Sequence, residues 1–275
     1  MAKLVASTRI IPLDIVDAVE TLHAMGFELV DINYASVERM NIDYPSVPNT
    51  MRLALLQAVR VGVRPVTVHA PWEDYFLLYI GRGLDHAVDE AKIFLDIAGS
   101  YGAEIVVFHG FSSRRIGSYR AEWVNKRFFA ELADYAERED LPVVAVENSS
   151  GAKPLNKIEA LRKLVSQIDS PKLRACIDTG HAFLNGYSLR AADHAIKPLE
   201  PVCIHVHDNH GERDEHLHIG CGSINWLEAP SAVNLSKASY VVLESDCSSN
   251  DVVACKGQAI IAANNARSVL KDWLT

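Results

Sequence analysis

Six apolar runs in this 275-residue chain end in a carboxylate or an imidazole: PVTVH at His69, EIVVFH at His109, PVVAVE at Glu147, LRACID at Asp178, PVCIH at His205 and SYVVLE at Glu244. Buried parallel strands are built from continuous Val, Ile and Leu, and a terminal acid or imidazole adds nothing to such a core. The same ending in six successive runs points to a shared site. Glu147, Asp178, His205 and Glu244 together offer mixed oxygen and nitrogen donors, a set suited to Zn²⁺, Mn²⁺, Co²⁺ or Mg²⁺.

Further candidates surround these four. His181 follows Asp178 on the tight turn DTGH, and Asp214 and His216 stand two apart, on one side of an extended segment. Strand alternation puts Cys203, His205 and His207 on one face, with His205 at the depth of Asp178 and His207 higher in the loop. Of eleven histidines, six lie between 181 and 216, a clustering that suggests metal. Any one of these residues alone is equally a hydrogen-bonded polar group at a strand end; the set is what argues for chemistry. His194 reads as surface and His218 as structural or rim. Trp72, Tyr75, Phe76 and Tyr79 form an aromatic loop after the third strand. It either covers a substrate or packs as a lid. Ser112, Ser113, Arg114 and Arg115 have the chemistry to hold a phosphate, and equally read as a solvated loop.

To bring six strand ends together the chain needs a ring. Strand-like runs sit near 3–7, 28–34, 65–70, 104–109, 142–148, 173–178, 201–207 and 240–245, with helix-like segments between them. One helix begins near Leu13, with Asp14 as N-cap and Gly26 as its stop. The strand-to-strand interval of roughly 30–40 residues is that of crossover units. Eight of them predict one domain over 1–275, a single (β/α)₈ TIM barrel. An open doubly wound sheet would carry a glycine-rich phosphate turn at one switch point, and the sequence has no GxGxxG or GxxxxGK[ST].

Composition narrows the function classes. The net charge of −8 opposes broad binding to nucleic acid, and no apolar run is long enough to span a membrane. The N-terminal stretch lacks a secretory pattern, and the five cysteines show no CxxC and no disulfide framework. The expected setting is cytoplasmic and reducing. Self-association into a homo-oligomer is left open.

The segments VTVHAP (66–71), IVVFHG (105–110), VAVENSSG (144–151), CIDTGHAF (176–183), HVHDNHGERDEHLHIGCGSINW (205–226) and VVLES (241–245) resemble, in order, the xylose isomerase-like barrels. That superfamily includes sugar phosphate isomerases and epimerases and the endonuclease IV type of apurinic-site endonuclease. For an isomerase or epimerase the resemblance implies one divalent ion held by Glu147, Asp178, His205 and Glu244. Glu147 and Glu244 would then be catalytic, moving a proton next to a metal-polarised carbonyl of a sugar, polyol or sugar phosphate. His181, Arg213 and Trp72 would contact substrate. For the endonuclease it implies three zinc ions and abasic DNA. His69, His109 and Glu147 would hold one ion; Glu147, Asp178, His205 and Glu244 another; and His181, Asp214 and His216 the last. All nine positions carry matching residue types. Departures from the nuclease lie in the second strand's loop, after His109, and at Cys221. A third reading is a barrel that binds metal or sugar as a sensor without turnover.

Overall fold

The computed structural model describes residues 1–80, 83–112, 117–151, 154–249 and 251–274. Eight parallel strands close into a barrel in chain order: β1 (Lys3–Ser7), β2 (Leu29–Asn33), β3 (Arg64–His69), β4 (Ile105–His109), β5 (Val143–Glu147), β6 (Leu173–Asp178), β7 (Cys203–Val206) and β8 (Tyr240–Leu243). The ring shuts where β8 pairs with β1, Val242 opposite Val5. Every strand lies where the apolar runs place it.

Alternation along the strands sorts the side chains into two cores. Val5, Ile105, Val107, Ala145, Cys176, Cys203 and Val242 pack together inside the ring. Two residues further along, the same face carries Ser7, His109, Glu147, Asp178, His205 and Glu244 at the C-terminal rim. Outward residues such as Val106, Val144, Val146 and Ile204 meet the surrounding helices. The helix Ile15–Ala24 shows how the sequence sets these up. Asp14 caps it by accepting from the amides of Val16 and Asp17, and Gly26 leaves it at φ +85°. Ile15 and Leu22 on its inner face are fully buried. Each such side chain contributes about 1.5–3 kcal/mol by leaving water.

Two expectations change. Residues 73–80 are not an aromatic loop but a helix, Glu73–Ile80, whose Tyr75 and Phe76 pack edge-on against Phe94. They belong to the lid, and only Trp72 turns to the rim. The cysteines are not all unpaired either, since Cys247 and Cys255 form a disulfide while Cys176, Cys203 and Cys221 are free. The bridge ties the loop after β8 to the helix Val252–Val269, a pairing that loop and helix placement create and eight-residue spacing does not reveal. Ser112 is buried; Ser113, Arg114 and Arg115 lie outside the described residues. Among the described residues no helix is long and apolar enough to cross a membrane.

Candidate metal centre

Strand ends that are neighbours in the ring bring their polar side chains into contact. Glu147 Oε2 lies 3.0 Å from Nε2 of both His69 and His109, and Glu147 Oε1 lies 3.1 Å from His181 Nδ1. Glu244 Oε2 is 3.1 Å from His205 Nδ1. Asp178 and His205 are register partners across β6 and β7, at equal depth as alternation requires. One ligand atom each from Glu147, Asp178, His205 and Glu244 falls within 4.8 Å of the others. His69 forms an overlapping group with Glu147 and His205.

A second group sits beside the first. The Nε2 atoms of His181, His216 and His207 approach the Asp214 carboxylate at 2.9, 3.4 and 3.7 Å. His207 is fully buried, stacks on His216 at 3.9 Å, and places Nε2 3.0 Å from Asp178 Oδ1. Sequence alternation places it only higher in the loop than His205 and outside the expected ligand sets. The signal available was Gly180 in DTGH: a methyl group there would overlap the His207 ring.

The hydrogen bonds behind these imidazoles test whether cations fit. Nδ1 of His69, His181 and His216 meets the backbone carbonyls of Ala70, Asn148 and Glu244 at 2.9, 2.9 and 2.7 Å. A carbonyl only accepts, so Nδ1 carries the proton and each neutral ring turns a lone pair at Nε2 toward a carboxylate oxygen. Two lone pairs face each other stably only with a proton or a metal ion between them. Without metal the proton takes that place. Burial disfavours charge on both rings, but Asp178 and Asp214 push the His181 pKa well above the ordinary value, and Glu147 raises that of His69. Burial would raise the carboxyls of Glu147, Glu244 and Asp214; the surrounding histidines instead hold all three well down. His216 is lowered, by burial and then by His207. Despite these short approaches, Glu147 Oε1, Asp178 Oδ2 and both ring nitrogens of His205 and His207 are buried without a well-directed hydrogen bond. Unpaired donors and acceptors are costly in such a place, and a divalent ion would satisfy them together.

Further residues hold the ligands. Asn33 Nδ2 donates to Glu244 Oε1 at 2.7 Å and to Asp31 Oδ2 at 3.0 Å. Asp31 also accepts from the hydroxyls of Ser7 and Thr67, both at 2.8 Å. Asp208 Oδ1 accepts from the amides of Asn209 and Ile224, and its Oδ2 from Gly220 N and Trp226 Nε1. Those four bonds fold the HDN…G.G.I.W segment into the loop that presents Asp214 and His216. Arg9 clamps Asp246 with two bonds of 2.8 Å, and Arg39 adds a third. Sequence reasoning passed over Asn33, Asp31, Asp208 and this arginine pair.

Above the ligands opens a cavity of about 430 Å³, within the usual size range for small-molecule sites. Among the described residues it is lined by Glu147, Glu244, His69, His109, His181, Asp214 and His216, with Arg9, Arg39 and Asp246 on one side and Trp72, Glu38, Glu73 and Asp74 on another. Trp72 packs on His69 and His109 with ring centroids 4.8 and 5.1 Å away. Arg213, expected at the substrate, points away: its side chain is 82% exposed and it is not among the lining residues. The turn Gly211–Arg213 faces solvent, and Glu215 is the nearest acid to its guanidinium, at 3.7 Å. His194 and His210 are exposed, and His218 bonds Ser245 and Gln258.

A closed eight-stranded barrel with a carboxylate–imidazole centre at its rim defines a class, and the sequence match is to that class. The chain belongs to the xylose isomerase-like TIM barrel family, whose model matches residues 19–271. It is 26% identical over 216 residues to an uncharacterized protein of Methanocaldococcus jannaschii, covering 76% of this chain and 70% of that one. It is 23% identical over 247 residues to a probable endonuclease 4 of Aquifex aeolicus, covering 76% and 86%. Among solved structures, a D-tagatose 3-epimerase-like protein superimposes with a TM-score of 0.78 at 20% identity, over 98% of each chain. The IOLI protein with a bound zinc atom gives 0.73 at 16%, over 99% of each. At these identities the two structures share the fold.

Proposed function

We propose that this chain is a divalent-metal-dependent isomerase or epimerase of a sugar, polyol or sugar phosphate, working by proton transfer at the carbon next to a carbonyl. One observation carries the reading: of the four grouped ligands, Glu147 and Glu244 line the cavity, whereas Asp178 and His205 do not. Within that centre, the acids open to a substrate are therefore the two glutamates. Glu147, Asp178, His205 and Glu244 would hold the ion, which when bound supplies Lewis-acid polarisation of the substrate's oxygens.

The chain's own groups do the rest. Glu147 and Glu244 approach from β5 and β8, with β6 and β7 between them. Both carboxyls stay ionised among their histidines, so either can accept the proton and the other return it from a different side. Asn33 fixes the Glu244 carboxylate through Oε1. Trp72 covers the rim beside His69 and His109 and offers a ring face to a sugar. The zinc-containing IOLI structure and the D-tagatose 3-epimerase-like neighbour support this reading.

Phosphodiester hydrolysis of abasic DNA is the second reading, favoured by convergence of all nine expected ligand positions and by the probable endonuclease 4 relatives. Against it, the described cavity wall carries Glu38, Glu73 and Asp74, and the chain's charge is −8. Both repel a polyanion. The test is solvent deuterium exchange, followed by NMR, across a panel of ketoses, aldoses and their phosphates with Mn²⁺ or Zn²⁺. Exchange at the carbon beside the carbonyl is expected. Cleavage of an abasic oligonucleotide with no exchange on any sugar would replace this reading by the second.

A further inference from the structure

We infer that His207 completes a closed four-ligand site with His181, Asp214 and His216, and that its divalent ion clamps the active-site wall without hydrolysing substrate. This rests on the proposed function only in leaving the chemistry to the other centre. His207 directly follows β7, His181 lies in the short helix Thr179–Leu184, and Asp214 and His216 belong to the 205–226 loop. An ion held by all four would pin the start and the middle of that loop to the helix Thr179–Leu184 at one point.

The donors are arranged for this. Three Nε2 atoms converge on one carboxylate at 2.9, 3.4 and 3.7 Å, and ligand atoms of the four residues lie within 4.8 Å of one another. His207 supplies the independent observation. It is fully buried, its Nδ1 has no hydrogen-bond partner and its Nε2 lies 3.0 Å from Asp178 Oδ1 without hydrogen-bond geometry, and Gly180 lacks a side chain where that ring rests. His207 is absent from the cavity lining, whereas His181, Asp214 and His216 are part of it. It therefore fills the ion's fourth position from behind. Three histidines and one aspartate make a tetrahedral nitrogen–oxygen set of the kind zinc takes. Structural zinc sites are closed by four protein ligands, while hydrolytic ones keep a position for water. With His207 in place no position is left for the water that multi-metal hydrolysis needs.

Cobalt substitution tests the inference without reference to activity. The chain is stripped with chelator and titrated with Co²⁺, with bound ions counted by elemental analysis and geometry read from visible absorption. The wild type is expected to show an intense tetrahedral band from one ion. His207→Asn should lose that band and at least tenfold in affinity at this site, while the ion at Glu147, Asp178, His205 and Glu244 remains. His216→Asn should do the same, which guards against a folding defect in one variant, and circular dichroism checks both. A wild-type spectrum without a tetrahedral component would overturn the proposal, as would an unchanged band in His207→Asn. Absence of sugar turnover would count against the proposed function and leave these readouts untouched.

Discussion

Asn33 and Glu244 are 211 residues apart in sequence and joined by a 2.7 Å hydrogen bond. The bond exists because β8 closes on β1, and β1 pairs with β2. Asn33 Nδ2 holds one glutamate oxygen and leaves Oε2 turned toward His205. Asp31, anchored by Ser7 and Thr67, in turn orients the amide. Outer partners of this kind typically govern metal affinity or activity by about 10–100-fold. Asn33→Ala is therefore expected to weaken ion binding or turnover within that range, and to lower thermal stability by about 1 kcal/mol because Asn33 Oδ1 also caps the helix Tyr34–Glu38. Calorimetric titration of Mn²⁺ checks it, and wild-type affinity and rate in the variant would remove Asn33 from the centre.

Glu244→Gln should abolish turnover while leaving the barrel intact, since it removes a charge and almost no volume. The measurement pairs substrate exchange with thermal unfolding. Exchange persisting at the wild-type rate would show that Glu244 neither binds the ion nor moves the proton.

The pH dependence follows from the raised pKa values of His69 and His181 in the metal-free chain. A raised histidine contributes stability that is fully present below the unfolded value of about 6.5 and is lost as pH rises through the folded value. Chelator-treated protein should accordingly lose thermal stability from pH ~6.5 upward, while ion-loaded protein keeps it. Uptake of Zn²⁺ in weakly buffered neutral solution should release protons, because the ion replaces them between imidazole and carboxylate. Uptake without proton release would contradict the imidazolium pairing. An ion at ~1,000 times its Kd adds about 4 kcal/mol, so the gap between the two forms is large enough to read by calorimetry.

Gly180→Ala gives a sharper test of the buried histidine. Alanine favours a helix over glycine by about 1 kcal/mol, and Gly180 lies in the helix Thr179–Leu184. Yet its methyl would overlap the His207 ring, an overpacking that costs about 1–3 kcal/mol. The variant should unfold at lower temperature and lose the His207-dependent ion. Unchanged stability with full metal content would mean that His207 has room to move.

Much of this architecture is visible in the residues because parallel strands are buried on both faces and so write themselves as unbroken apolar runs. The strands ending at His69, His109, Glu147 and Asp178 show it, as does the capped helix after Asp14. His205 is legible from its alternation with Cys203. His207 is not, because β7 ends at Val206 and alternation no longer governs where the next side chain points. Asn33 and Asp208 escape notice for another reason. An amide at a strand end and an acid in a loop do not announce a metal; they hold ligands through contacts that only closure of the ring creates. Arg213 errs the other way, adjacent in sequence to Asp214 but carried outward by the turn. The Cys247–Cys255 pair depends on where a loop meets the final helix.

Glu147 has a role that no count of ligands conveys. Its Oε2 serves His69 and His109, and its Oε1 faces His181, which belongs to the neighbouring group. Charge arriving on one side of that carboxylate is felt on the other. Ions bound in both groups would be thermodynamically linked, with equal and reciprocal influence, so that the proposed clamp and the proposed chemical ion would report to each other through a single side chain.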